Sequence, residues 1–598
     1  MKSLTTKEEN VLEIIKEIDG DFSEVDNDKL KVSICDYILD GNLFIKYNFL
    51  PKKFTYEKEL KYDIDNFDWD FVYAPLPSPC QMYLHSFNHI KYLIQGYELT
   101  LNEKYIDLAG HLIRSWLNYE QQSENNFIWL KDTGPDRSIV MLYFILISKK
   151  NNIVKNIPLI NEMKSSLKKH ANFFYNDNYY KPHNHGTMID RALYLVAIYL
   201  NDSSSAKYRK KSVDRLVSAL KRNFSDQMVN LESAIAYHLL NLELFVSIET
   251  ILSRFGDMCG MDQKSIENAI DFLIYASKPD LYLPIIGDSQ RLKITDITNY
   301  SFYRHVKHYH PLMWLLTSKK SGQKPKDLLK VYENEGFAFL RNKWDMHENN
   351  VVYASFISGS GNPNHITHKH ADDLSFTLFA KGKDIFVDSG IYTYESGDMR
   401  NYFISALAHN TLVVDDNTYP IHLWAGSGDF SKTLNLNNSK QWGDVNDTGI
   451  LDYGTEDDYY YVVGKNDMYD GVNITRSLYM LKNGYIVIVD DIQSYDIHNY
   501  SQYYHLSPNI TIKGIKVKQE DKNTKVVIFD DELKLNLIQI GQCDFNLIKG
   551  DKKNNGPGIV SETYANAIET NSLKFSLKSK NSRFITLITV DEVNEKDD

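Results

Sequence analysis

At 598 residues the chain exceeds what a single hydrophobic core supports, so two or three domains are expected. A formal net charge of −12 excludes a general nucleic-acid binder, which needs a broad positive field, but leaves room for an anionic ligand held by a few cations in a cleft. Four cysteines (Cys35, Cys80, Cys259, Cys543) without CxxC spacing point to neither a disulfide framework nor a zinc ribbon.

The first residues, MKSLTTKEENVLEIIKEIDGDF, lack an apolar core and a small-residue cleavage site and read as a charged amphipathic helix. A cytoplasmic location is therefore expected, or a periplasmic or secreted one if the chain is a processed form. No apolar run is expected to span a membrane; MLYFILIS at 141–148 is too short. From about residue 85 to 275 apolar residues recur at helical spacing, as in HIKYLIQGYELTL, YIDLAGHLIRSWLNYEQ, SIVMLYFILISKK, RALYLVAIYL and SAIAYHLLNLELFVSIETILSRF. Serial helices with short links predict a bundle, solenoid or toroid. From about residue 335 short β-branched or aromatic runs broken by Gly, Asn and Asp predict an antiparallel β-sandwich. KGK at 381–383 and NG at 483–484 look like hairpin turns. The expected layout is a helical extension over 1–70, a helical domain over 71–330 and a β-sandwich over 331–598, with the boundary in KKSGQKPKDLLK.

The segment from residue 365 to 411 is the richest in chemistry. It holds His365, His368, His370, Asp372, Asp373, Asp388 and His409. Strand parity places His368, His370 and Asp372 on one buried face with Leu374, Phe376 and Leu378, and pairs Phe386 with Asp388. Buried imidazoles and carboxylates need mutual hydrogen bonds or a cation. His370, Asp388 and His409, from adjacent strands, would suit zinc; a metal-free hydrogen-bonded network is the alternative. In the helical half, Asn184 and His185 precede a helix carrying Arg191, while Glu232, Tyr237 and His238 are expected within another. On spacing alone a cap and a core helix explain these as well as chemistry does.

Together NHG at 184–186, ESAIAYH at 232–238, LPIIGDSQ at 283–290, HKHADDLSF at 368–376, FVDSGIYTY at 386–394 and AHNTLVVD at 408–415 resemble the heparinase II/III-like polysaccharide lyases. That group includes heparin and heparan lyases and several alginate lyases. The resemblance implies an (α/α) toroid followed by an antiparallel β-sandwich, and β-elimination at a uronic acid in an acidic polysaccharide or oligosaccharide. It assigns catalysis to Tyr237 and His368, neutralisation of the substrate carboxylate to Asn184 and His185, and a structural zinc (Zn2+) to His370, Asp388 and His409. Tyr394, with Tyr402 as the alternative, would contact substrate, as would Arg191, Glu232, His238 and Arg400.

The C5 hydrogen of a uronate is weakly acidic, and its removal builds enolate charge that donors to the carboxylate disperse. Tyr237 and His368 can each serve as base or acid, according to whether elimination is syn or anti. The metal would stand back from substrate and hold the segment presenting His368. A uronyl C5-epimerase, an alginate-type lyase and a non-catalytic carbohydrate-binding protein are the competing readings. A sulfate-rich substrate would want several cations, for which Arg137, Arg191, Lys369 and Arg400 are the candidates.

Overall fold

A computed structural model describes residues 3–22, 28–46, 55–73, 77–129, 133–180, 184–345, 350–359, 368–394, 397–419, 447–520 and 523–593. His365 lies outside them. The chain forms two compact units, Met1–Arg222 with Glu243–Asp262, and Asn223–Leu242 with Gln263–Asp598. This division does not follow the boundaries expected at 70 and 330.

The first unit is mainly helical. Helix Thr6–Phe22 buries Val11, Ile14, Ile15 and Ile18, the i, i+3, i+4, i+7 stripe that its sequence spells. Helix Glu103–Glu120 starts at Asn102, whose side chain accepts from the Lys104 amide. Helix Thr133–Lys150 is buried on every face over most of its length, as its unbroken apolar run requires. The expected helical extension also contains an antiparallel hairpin, Asn42–Lys46 with Thr55–Lys61, which the helical expectation for 1–70 missed. Helix Ile235–Ser253, at nineteen residues, is long and apolar enough to cross a membrane, contrary to expectation. It is mostly buried within the protein, as a core helix is.

Among the described residues the second unit holds four antiparallel sheets, the smallest being the pair Ile559–Thr563 and Asn566–Glu569. Strands Leu329–Tyr332, Phe337–Arg341, Val352–Ile357, Ser375–Ala380 and Lys383–Phe386 form a meander. Its middle strands are buried on both faces. One face joins the main apolar core through Leu340, Phe356 and Phe376, and the other meets Phe272 of helix Gln263–Ala276 through Phe337 and Phe339. An eight-stranded sheet runs from Gly514–Glu520 at one edge to Thr448–Thr455 at the other. Its strand Val472–Leu481 alternates between buried and more exposed residues, the period-two pattern of a one-sided sheet. A four-stranded sheet orders Asp544–Lys549, Asn571–Ser579, His498–His505 and Leu412–Val414. Both expected hairpin turns form. Lys381 and Gly382 have φ of 53° and 76°, and Gly484 has φ of 93° between Val472–Leu481 and Ile486–Ser494.

Candidate active site and metal-binding cluster

The histidine segment is not the strand that parity suggested. Residues 368–374 are irregular, Leu374 has φ of 66°, and the strand begins at Ser375. Asp388 follows the strand Lys383–Phe386, and His409 follows a short 3-10 turn at Ala406–Ala408. The three proposed ligands therefore come from loops, not from adjacent strands. Asn410 fixes those loops. Its side-chain amide donates to the carbonyls of Phe376 and Val387, and its side-chain oxygen accepts from the His505 amide.

His370, Asp388 and His409 are buried, and each offers a ligand atom within 4.8 Å of the others. His370 Nε2 lies 2.8 Å from Asp288 Oδ1, and His409 Nδ1 lies 2.8 Å from Asp388 Oδ2. The opposite ring nitrogens, His370 Nδ1 and His409 Nε2, are buried without a hydrogen-bond partner among the described residues. Two orphaned imidazole nitrogens beside a carboxylate fit a divalent cation of borderline softness. The Asp288–His370 contact is the carboxylate–histidine pairing found behind many zinc ligands.

Beside this cluster stand the catalytic candidates. Tyr237 lies in helix Ile235–Ser253, whose Ala236 amide donates to Ser289 Oγ at 3.1 Å. Its ring stacks on His368 with centroids 3.4 Å apart and planes 14° from parallel. The hydroxyls of Tyr237 and Tyr394 are 3.0 Å apart. Burial, reinforced by Tyr394 and Asp288, raises the Tyr237 phenol well above its ordinary value of 10.0, so it holds its proton at neutral pH. His368 turns Nδ1 to Asp288 at 3.0 Å and Nε2 toward Glu232 at 3.7 Å; its side chain keeps 15% exposure. Glu232 lies just before the Tyr237 helix rather than within it.

Several of these side chains have partners inside the protein. His238 is one. It is a buried core imidazole that accepts from the Asn230 amide and donates to the Ala269 carbonyl, and burial lowers its pKa to about 4. Arg400 is buried and donates to both oxygens of Asp288, at 2.5 and 2.9 Å. Tyr402 is buried and donates to the Ile559 carbonyl, which leaves Tyr394 as the tyrosine beside Tyr237. Asn184, His185 and Arg191 belong to the helical unit. Asn184 and His185 open helix Asn184–Leu200 rather than preceding it, and Arg191 is buried in it.

Asp288 is the residue that sequence reasoning missed. Burial alone would raise its carboxyl pKa, but Arg400, His368 and His370 hold it well below the ordinary carboxylate range. Its only signal was its place in LPIIGDSQ, where it stood without a role.

A heparinase II/III N-terminal family model matches residues 10–313, and a heparinase II/III-like C-terminal model matches residues 324–581. The chain belongs to the heparinase II/III family. Among relatives of this family, a heparin-sulfate lyase of Bacteroides stercoris is 24% identical over 417 residues, 67% of this chain and 55% of the relative. A heparin-sulfate lyase of Pedobacter heparinus is 22% identical over 415 residues, 66% of this chain and 57% of the relative. The chain thus spans little more than half the length of these heparinase-family proteins. A crystal structure of heparinase III superposes with a TM-score of 0.75 at 15% identity, over 99% of this chain and 90% of that one. The heparan sulfate lyase HepC of Pedobacter heparinus superposes with a TM-score of 0.69 at 16% identity, over 98% and 90%. The expected fold class, an N-terminal (α/α) toroid followed by a C-terminal antiparallel β-sandwich, agrees with these heparinase folds and with the observed order of helices and sheets.

Proposed function

We propose that the chain is a polysaccharide lyase that cleaves a sparsely sulfated, uronate-containing polymer of the heparan class by β-elimination. The observation that carries this reading is the stacked Tyr237–His368 pair with the Tyr394 hydroxyl against Tyr237. A protonated phenol beside an imidazole whose Nε2 lies 3.7 Å from the Glu232 carboxylate is an acid and a base in one place. Tyr237, which burial keeps protonated, is the acid that protonates the departing O4. His368, with Nδ1 on Asp288, presents Nε2 as the base that takes the C5 proton. The electron pair left at C5 forms the C4–C5 double bond as the C4–O4 bond breaks. The product carries a 4,5-unsaturated uronate at its non-reducing end. Asn184 and His185 take the carboxylate-neutralising role by resemblance alone.

The substrate class draws on the names of the relatives and on the candidate cations. Arg137 donates to the carbonyls of His85 and Ile128, Lys369 pairs with Asp372 and Asp373, and Arg400 pairs with Asp288; these and Arg191 are all buried. None of the four is an exposed partner for sulfate. His370, Asp388 and His409 would hold a zinc ion whose charge binds together the loops around His368. It contacts no substrate in this scheme.

The test is ultraviolet absorbance of the unsaturated product with heparin, heparan sulfate, an unsulfated heparan precursor, hyaluronan and alginate. Absorbance should rise with heparan sulfate or its unsulfated precursor and less with heparin, and Tyr237→Phe should lose about 10²–10⁴-fold in kcat while remaining folded. Proton exchange at C5 without absorbance would replace the lyase with an epimerase. A folded Tyr237→Phe variant altered only in affinity would replace it with a binding protein.

A further inference from the structure

One carboxylate serves both halves of the site. Each oxygen of Asp288 accepts from one nitrogen of the Arg400 fork and meets one imidazole: Oδ1 meets His370 Nε2 and Oδ2 meets His368 Nδ1. These contacts select opposite tautomers. His370 carries its proton on Nε2 and exposes the Nδ1 lone pair; His368 carries its proton on Nδ1 and exposes the Nε2 lone pair. The backbone repeats the link, because the Asp288 amide donates to the His368 carbonyl at 3.1 Å. Gly287 makes that approach possible: a Cβ there would lie 2.7 Å from the His368 carbonyl oxygen and 2.9 Å from that of Ser233.

We propose that Asp288 is a positioning residue shared by the metal cluster and the catalytic imidazole, so that metal binding at His370 and the orientation of His368 are coupled through one carboxylate. An apolar or purely structural brace would need neither the Arg400 fork nor a separate oxygen for each ring. Arg400 holds the carboxylate plane, and the plane sets both rings. The proposal rests on the reading of His368 as a catalytic residue; its metal arm does not.

The experiment measures zinc affinity, by competition with a chromophoric chelator, and kcat and KM with and without chelator, for the wild type and Asp288→Asn. Zinc affinity and kcat should each fall about 10–100-fold, with KM held within about twofold. Chelation should lower kcat of the wild type and leave that of Asp288→Asn unchanged, because the coupling is already broken. Zinc affinity and kcat near the wild-type values, or chelation lowering kcat by the same factor in both proteins, would overturn the proposal. Should Asp288→Asn fail to fold, Arg400→Gln keeps the carboxylate and frees its plane, with the same two losses expected; their absence counts equally against coupling. A wild type that makes no unsaturated product would sink the proposed function, while the zinc arm would still decide for or against the shared brace.

Discussion

His238 sits next to Tyr237 in sequence, yet its ring is closed off by backbone, accepting from the Asn230 amide and donating to the Ala269 carbonyl. Burial holds its pKa at about 4, below the ordinary 6.5. A histidine depressed in the folded state adds stability that is present above pH 6.5 and lost as pH falls toward 4, because the unfolded chain takes up the proton first. At pH 5 this loss is about 2 kcal/mol. Replacing His238 with Gln should lower stability at pH 7 but flatten its pH dependence between 7 and 5; urea midpoints at the two pH values measure both. An unchanged slope would mean that this imidazole does not titrate in the way its burial dictates. At the same scale, Tyr237 and His238 show why adjacency in sequence was a poor guide. Consecutive helix residues point about 100° apart, and here one ring stacks on His368 while its neighbour enters the core.

Two turns decide the geometry of the elements around the site. Lys381 and Gly382 both have positive φ in the two-residue hairpin between Ser375–Ala380 and Lys383–Phe386. An L-residue such as Lys is disfavoured there and Asn is tolerated. Lys381→Asn should therefore stabilise the protein by a few tenths to about 1 kcal/mol, read from the denaturation midpoint. Gly287, with φ of 62° and carbonyl oxygens on two sides, is the opposite case. Gly287→Ala should cost more than about 2 kcal/mol and displace Asp288, so that kcat falls with stability. A fully stable and active Gly287→Ala would show that the backbone there can relax. The KGK and NG turns were legible because turn chemistry is local. The loops bearing Asp288, Asp388 and His409 were not, because parity holds only inside a ladder, and the ladder ends at Ser375 and at Phe386.

For the whole molecule, a metal held by His370, Asp388 and His409 would link binding to folding. If the cluster forms only in the folded chain, zinc at a hundredfold above its dissociation constant stabilises that state by about 2.7 kcal/mol. Thermal unfolding with zinc and with chelator should differ accordingly, and the double variant His370→Ala, His409→Ala should lose the difference. A shift that survives both substitutions would place the metal elsewhere. The sequence by itself determined the order of helices before sheets, because periods of 3.6 and 2 are properties of consecutive residues. It also determined the family, because its motifs are short and ordered, and it put forward His370, Asp388 and His409, whose ligand atoms the fold brings within 4.8 Å of one another. Only the tertiary structure decided which groups meet. Asp288 reaches His368 and His370 from 80 and 82 residues away, and Arg400 reaches Asp288 from 112. It likewise gave His238 and Arg400 partners inside the protein and set the Tyr394 hydroxyl, rather than that of Tyr402, against Tyr237. The physical reason is that a buried charge or imidazole must find its partner wherever the fold brings one, and no spacing along the chain encodes that distance.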